Sequence, residues 1–182
     1  MDLTLEEAQR DIRRAYGGGG LGAIISGLVW LVAAGVTQVS GIRIGFTALF
    51  LGGMLIFPLG LLISRVLLRW PPEAAGNTLG RTALESTIAM IGLFFAAWLF
   101  VDVKPDLVLP LAAIAVGLHY FAFRTVYGDA TYWLLGGAIT ATGFAGIYGV
   151  LPSAVALALA VGVIEIVFGI VLTRWSLVEQ RS

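Results

Sequence analysis

Five side chains in this sequence are of types that could do chemistry where they stand: Glu165, His119, Arg124, Glu85 and Tyr120. Glu165 is the most informative, because it lies inside VGVIEIVFGIVL, a stretch with no other charge. If that stretch crosses a bilayer, an acid at its centre costs on the order of 2.5–3.5 kcal/mol. Such a cost is commonly tolerated where a carboxylate binds a proton or a cation. The same residue also reads as a protonated acid, hydrogen-bonded to a neighbouring helix as structural glue. Its companions on one helical face, Ala158, Gly162 and Gly169, are small. Another helix can come close there, so Glu165 should face the protein interior.

His119, in VGLHYFAFRTVYG, is the only histidine. It follows Asp106 by thirteen residues, as Glu165 follows Pro152. At 1.5 Å per residue both lie roughly 20 Å below the outer ends of their segments. They can therefore share a depth in the cytoplasmic half of a bilayer. The plainer reading of His119 is a neutral buried ring satisfied by one hydrogen bond. Tyr120, Arg124 and Tyr127 form one stripe at i, i+4 and i+7, with Gly117 a turn above. Arg124 either snorkels to the interface or holds an anion or a carboxylate. His119 points about 140° away from Arg124 on a helix of 3.6 residues per turn. Glu85 opens another apolar segment in TALEST, with Thr82 at capping-box spacing. A cap explains Glu85 without function. The sharper expectation joins Glu85, Arg124, His119 and Glu165 in one polar cavity facing the cytoplasm, with Tyr120 a further candidate residue of the polar site.

Other chemistry is poorly supplied. Cysteine is absent, which excludes disulfides, thiolate metal sites and a catalytic thiol. With one histidine, a zinc site has too few ligands, and no metal or cofactor is expected. Intramembrane enzymology would need a nucleophile–base pair or several metal ligands, so no catalytic residue is assigned. Only carboxylate chemistry on lipids stays open. Gly17–Gly22 matches G-x-G-x-x-G in form, but a dinucleotide site needs a strand before it and a βαβ unit around it. The run reads instead as a flexible joint. Formal net charge is zero, so no nucleic-acid partner is implied.

The elements that must position these residues follow from composition. Hydrophobic residues make up 59% of the 182 and charged residues 12%, with a mean hydropathy of +0.96. Soluble domains carry about 25% charge. Six apolar segments are about as long as the ~20 residues a crossing helix needs: about 21–39, 44–68, 83–101, 107–127, 131–150 and 153–173. In hydrocarbon each backbone polar group must be satisfied within its own segment, so these should be helices. The alternation of a membrane β-barrel is missing. The first segment reads as a span rather than a cleaved signal peptide, because its leader is long and acidic.

Before the spans, residues 1–16 hold a short amphipathic helix over 4–16, capped by Thr4 and Glu7. Leu5, Ala8, Ile12 and Tyr16 lie along one face, and this helix is expected either to lie on the membrane surface or to be a solvated N-terminal tail. Residues 17–175 form the membrane domain and 176–182 a cytoplasmic tail. Nine of the eleven basic residues, Arg181 among them, fall on one side of the alternating loops; only Arg43 and Lys104 fall on the other. The positive-inside rule then puts both termini in the cytoplasm. Tryptophans and tyrosines cluster near the segment ends, as at membrane interfaces. Pro58 should kink the second span. Gly53, Gly60 and Arg65 are spaced like Gly162, Gly169 and Arg174, which suggests that the first and third hairpins are parallel copies.

In EEAQRDIRRAY, GGMLIFPLG, NTLGRTALEST, YFAFRTVYG with Tyr132-Trp133, and VIEIVFG, the chain resembles an uncharacterised family of small prokaryotic multi-pass membrane proteins, a domain of unknown function. These stretches span nearly the whole sequence. The resemblance implies class and topology but carries no mechanism. Relatives often show arginine where this chain has His119, which weakens any mechanism that needs a histidine to titrate there. A fainter similarity, resting on the hairpin repeat and GVIEIVF, is to three-hairpin acid-stress membrane proteins. The expected fold is therefore all-α, with six transmembrane helices in three helical hairpins and both termini cytoplasmic, in the cell (inner or plasma) membrane. The expected function is small-solute or ion- or proton-linked transport. The alternative is a non-catalytic stress or scaffold protein, or a subunit of a larger complex. Expected partners are the lipid bilayer and a second copy of the chain; the substrate is not specified.

Overall fold

A computed structural model describes residues 3–179 of the chain. Helix makes up 84% of the described residues, and no strand occurs among them. The helices are α1 (Leu5–Tyr16), α2 (Gly20–Leu62), α3 (Leu79–Trp98), α4 (Val108–Tyr127), α5 (Thr131–Ile147) and α6 (Ala154–Glu179), with a π-helical turn at Ile63–Leu67. Several are long and apolar enough to cross a membrane, which fits an integral membrane protein.

α2 is formally 43 residues long. At 1.5 Å per residue it would measure roughly 65 Å, about twice a hydrocarbon core. It does not run straight. Gly41 sits at φ 82°, ψ 172°, a conformation open essentially to glycine alone, and the chain doubles back there. Gly45 then lies against Thr37, Gly52 against Val29, and Gly60 at the edge of Ile25. These pairs are nearly symmetric about Gly41, so arms 20–40 and 42–62 form an antiparallel hairpin. The backbone stays helical through Pro58, with Gly41 its one non-helical point.

The first arm of α2 packs on α6, α6 on α5, α5 on α4, and α4 on α3. The second arm closes the ring onto α3 through aromatic rings: Phe46 meets Phe94 at 5.7 Å and Trp98 at 5.6 Å, and Phe50 meets Phe95 at 5.4 Å. Helix bounds differ from the hydropathy segments at several ends. α3 starts at Leu79, where Asn77 accepts from the Leu79 N–H. Thr82 and Glu85 are thus already inside the helix, and the capping box expected of them does not form. α5 stops at Ile147, just before Gly149 at φ 71°. α6 runs on through 174–179, so part of the expected tail is helical; Arg181 and residues 180–182 lie outside the described residues. The expected hairpin repeat is not matched by equal contacts. Gly162 and Gly169 touch the first arm of α2, while Gly53 faces open space.

α1 forms the Thr4–Glu7 capping box. Most of its apolar face is used within the protein, although Leu5 at its start is exposed. Ala8, Ile12 and Ala15 are buried against the end of the bundle, where Gln9 donates to the Thr125 carbonyl at 2.8 Å and Arg13 to the Tyr127 carbonyl at 2.6 Å. Arg65 donates to the Ala15 carbonyl at 2.7 Å, and its guanidinium lies over the Tyr16 ring. Arg43 pairs with Asp102 at the opposite end of the bundle.

Candidate functional site

Glu165 lies at mid-helix on α6 and is 0% exposed. Its Oε1 accepts two hydrogen bonds, from Ser26 Oγ on the first arm of α2 at 3.0 Å and from the Tyr120 hydroxyl on α4 at 2.8 Å. Its Oε2 is buried with no partner. Three helices thus converge on one carboxyl group, and half of that group is left unsatisfied.

Glycine makes the convergence possible. A Cβ on Gly27 would lie 2.6 Å from the Gly162 carbonyl oxygen, and one on Gly162 would lie 2.8 Å from that of Gly27. Two turns further along α6, a Cβ on Gly169 would meet the Gly20 carbonyl at 2.7 Å. The two backbones touch on both sides of Glu165, the close approach that small residues allow between apolar helices. Ser26, next to Gly27, is thereby brought within reach of the carboxyl. α4 and α5 repeat the device: Cβ positions at Gly117 and Gly136 each lie 2.8 Å from the other's carbonyl oxygen.

Of the four residues expected to share a cavity, the fold joins none to another; of the candidate site residues, Tyr120 is the one that meets Glu165. His119 turns toward α3, where Nδ1 and Ser86 Oγ share a 2.8 Å hydrogen bond, and its ring lies 4.4 Å from that of Phe123. This is the plainer of the two histidine readings. Successive residues on a helix are 100° apart, so adjacent His119 and Tyr120 serve different neighbours. Arg124 and Glu85 are exposed on the outer surface of their helices. The common polar cavity does not form. Two clefts open at the α1 end, and neither is lined by Glu165, His119, Arg124 or Glu85.

Sequence reasoning missed Ser26, which reads as one small polar residue among apolar ones. A signal was present: Gly20 and Gly27 are seven apart, as are Gly162 and Gly169, and two such ladders can mesh antiparallel.

Between Glu165 and the α1 end stands a column of aromatic rings. Tyr120 stacks on Tyr132 at 6.1 Å, and Tyr132 on Tyr127 at 5.3 Å with 15° between planes. The buried Tyr132 hydroxyl donates to the Gly18 carbonyl at 2.7 Å. Gly17, Gly18 and Gly19 all have positive φ. A Cβ on Gly17 would enter the Trp70 ring, and one on Gly19 would strike Tyr132 and Tyr127. In this structure the glycine run is a packed left-handed turn.

No group of three or more metal-ligating side chains occurs among the described residues. What the arrangement can do chemically is hold and release a proton, or a small cation, on the unpartnered Oε2. A charged, half-satisfied carboxylate in an apolar interior costs several kcal/mol. That cost pulls toward a bound proton.

Residues 5–174 match the sequence model of a family described as "Family of unknown function (DUF7010)". Comparison with curated proteins and with solved structures yields no match.

Proposed function

The chain belongs to the DUF7010 family, whose function is unknown, and on that premise we propose a small proton-linked membrane transporter in which Glu165 carries the proton. The chain crosses the cell membrane six times, counting the two arms of α2 separately, with both termini in the cytoplasm. The arginine-rich α1 end is the cytoplasmic face by the positive-inside rule. α5, at 17 residues, is at the short end of the crossing range.

The observation that carries this reading is the unpartnered Oε2 of a fully buried acid between three helices. A group kept only as glue would be expected to use both oxygens, since a buried polar atom without a partner costs about 1–3 kcal/mol. A proton suits the site better than a metal ion. A hard cation takes six or more oxygens, whereas Oε2 has no hydrogen-bonding group in reach. Glycine-on-glycine contacts on both sides of Glu165 offer a smooth surface along which α6 can shift against α2. A transporter this small is expected to work as a dimer.

The test is reconstitution into vesicles loaded with a pH-sensitive dye, under an imposed pH gradient and with a panel of small solutes outside. Wild-type protein should pass protons with at least one solute, and Glu165→Gln should not. The carboxylic-acid C=O stretch should titrate in wild-type infrared spectra and vanish in Glu165→Gln. A wild type as proton-tight as empty vesicles across the panel overturns the proposal.

The second reading is a non-catalytic membrane protein, a stress factor or a subunit of a complex. The separation of His119, Arg124 and Glu85 from Glu165 favours it. Stoichiometric copurification with another protein, together with full complementation by Glu165→Gln, would establish it instead.

A further inference from the structure

We propose that α1 is a hinged lid on the cytoplasmic end of the bundle, and that its lifting frees the aromatic column leading to Glu165. The inference rests on the reading of Glu165 as the proton carrier and adds the side and the means of access to it.

The column runs unbroken from carboxyl to lid. Tyr120 donates to Glu165, Tyr120 stacks on Tyr132 and Tyr132 on Tyr127. The Tyr132 hydroxyl is caught on the Gly18 carbonyl, in the turn that follows α1. α1 itself lies across the last turn of α4, held by Gln9 to the Thr125 carbonyl and by Arg13 to the Tyr127 carbonyl. Any outward swing of α1 about Gly17–Gly19 moves Gly18 and releases Tyr132.

Two features suit α1 to such a swing. Its apolar grip is small: among its buried residues, Ile12 is the one large aliphatic side chain, beside Ala8 and Ala15. Much of the rest of its hold is hydrogen bonding at the end of the bundle, for which water can substitute once the helix lifts; Asn77 to the Ala8 carbonyl is a further case. Second, a strongly amphipathic helix with basic residues on its polar side has another place to rest. Once lifted, its apolar face can lie in the bilayer interface. The three consecutive glycines between α1 and α2 can take either sign of φ, so the joint can adopt both positions.

The chain has no cysteine, so introduced thiols report alone. Ile12 and Val126 are each 1% exposed and lie at the same end of the bundle. In bilayers, Ile12→Cys should react with a water-soluble maleimide at least tenfold faster than Val126→Cys, and adding Tyr132→Phe should raise that rate severalfold further. Hydrogen exchange of the α1 amides in unmodified protein should outpace that of α4 by a similar factor, which covers the case in which Ile12→Cys fails to fold. Bridging Gln9→Cys to Thr125→Cys with a short reducible bis-thiosulfonate should cut proton flux at least tenfold, and reduction should restore it. A protected Ile12→Cys with slow α1 exchange, or full flux in the bridged protein, overturns the lid and leaves the reading of Glu165 standing. Rapid labelling of Ile12→Cys together with a wild type that carries no flux overturns that reading instead, and with it the lid's purpose.

Discussion

Gly162→Ala tests the contact on which the Glu165 site depends. The new Cβ would stand 2.8 Å from the Gly27 carbonyl oxygen and 2.8 Å from Leu31 Cδ2. Leu31 can change rotamer, but a helix carbonyl cannot step aside. Ordinary contact begins near 3.4 Å, so α6 and the first arm of α2 must part by about 0.6 Å (3.4 − 2.8). The Ser26–Glu165 hydrogen bond, now 3.0 Å, then stretches toward about 3.6 Å, beyond hydrogen-bonding range. One methyl group thus introduces overpacking strain of about 1–3 kcal/mol, while the lost Ser26 hydrogen bond, about 0.5–1.5 kcal/mol, offsets the helix-propensity gain of up to about 1 kcal/mol. With a Tm shift of roughly 2–4 °C per kcal/mol for a chain of this size, the melting temperature should fall by roughly 2–12 °C. The assay is thermal unfolding in detergent followed by tryptophan fluorescence, since Trp30 is buried on the same arm. Gly53→Ala is the control: nothing lies within 4 Å of its Cβ, and alanine in a helix interior should be neutral or stabilising by up to about 1 kcal/mol. If Gly162→Ala melts with Gly53→Ala and the wild type, the backbones do not touch and this account of the site is wrong.

Gly41→Ala should prevent the α2 hairpin from closing, because φ 82° with ψ 172° excludes a side chain; loss of folded protein on size-exclusion chromatography in detergent is the expected readout, and wild-type yield would contradict it. Tyr120→Phe should lower stability by about 1–3 kcal/mol, since it removes a donor to a buried acid, and the infrared band of the Glu165 carboxyl should shift; a superimposable spectrum would show that the hydroxyl does not touch it. Asp11 gives a pH dependence outside the spans. Burial alone would raise its carboxyl, but the Ala74 N–H, the Asn77 amide and Arg14 outweigh burial and hold it below its ordinary value. A folded value below the unfolded one stabilises the docked α1 above about pH 4. That contribution is lost as pH falls through the folded value. Hydrogen exchange of residues 5–16 should therefore quicken at pH 3 relative to pH 5, after correction for intrinsic rates, and Asp11→Asn should flatten the difference.

Much of this architecture is legible in the chain because membrane insertion is a transfer process read residue by residue. Long runs without charge mark helices wherever they fold. The arginines that later surround α1 are already unequal between alternate loops. Glu165 is identifiable as inward-facing because the residues a turn or two away, Ala158, Gly162 and Gly169, are too small to shield it from a neighbour. The Thr4–Glu7 cap is equally readable, being a contact between residues three apart.

What the sequence could not determine is which helix stands beside which. Apolar helices in lipid carry little facial pattern, so nothing local pairs the first arm of α2 with α6, or turns His119 to Ser86 and Tyr120 to Glu165. The pairing of α2 with α6 rests on backbone contact at Gly20, Gly27, Gly162 and Gly169, where a fraction of an ångström decides whether a serine reaches an acid. The docking of α1 on the bundle was also beyond the chain's pattern, because an amphipathic stripe is satisfied equally by lipid and by protein. Composition fixes the solvent a segment prefers; only packing in three dimensions decides its partner.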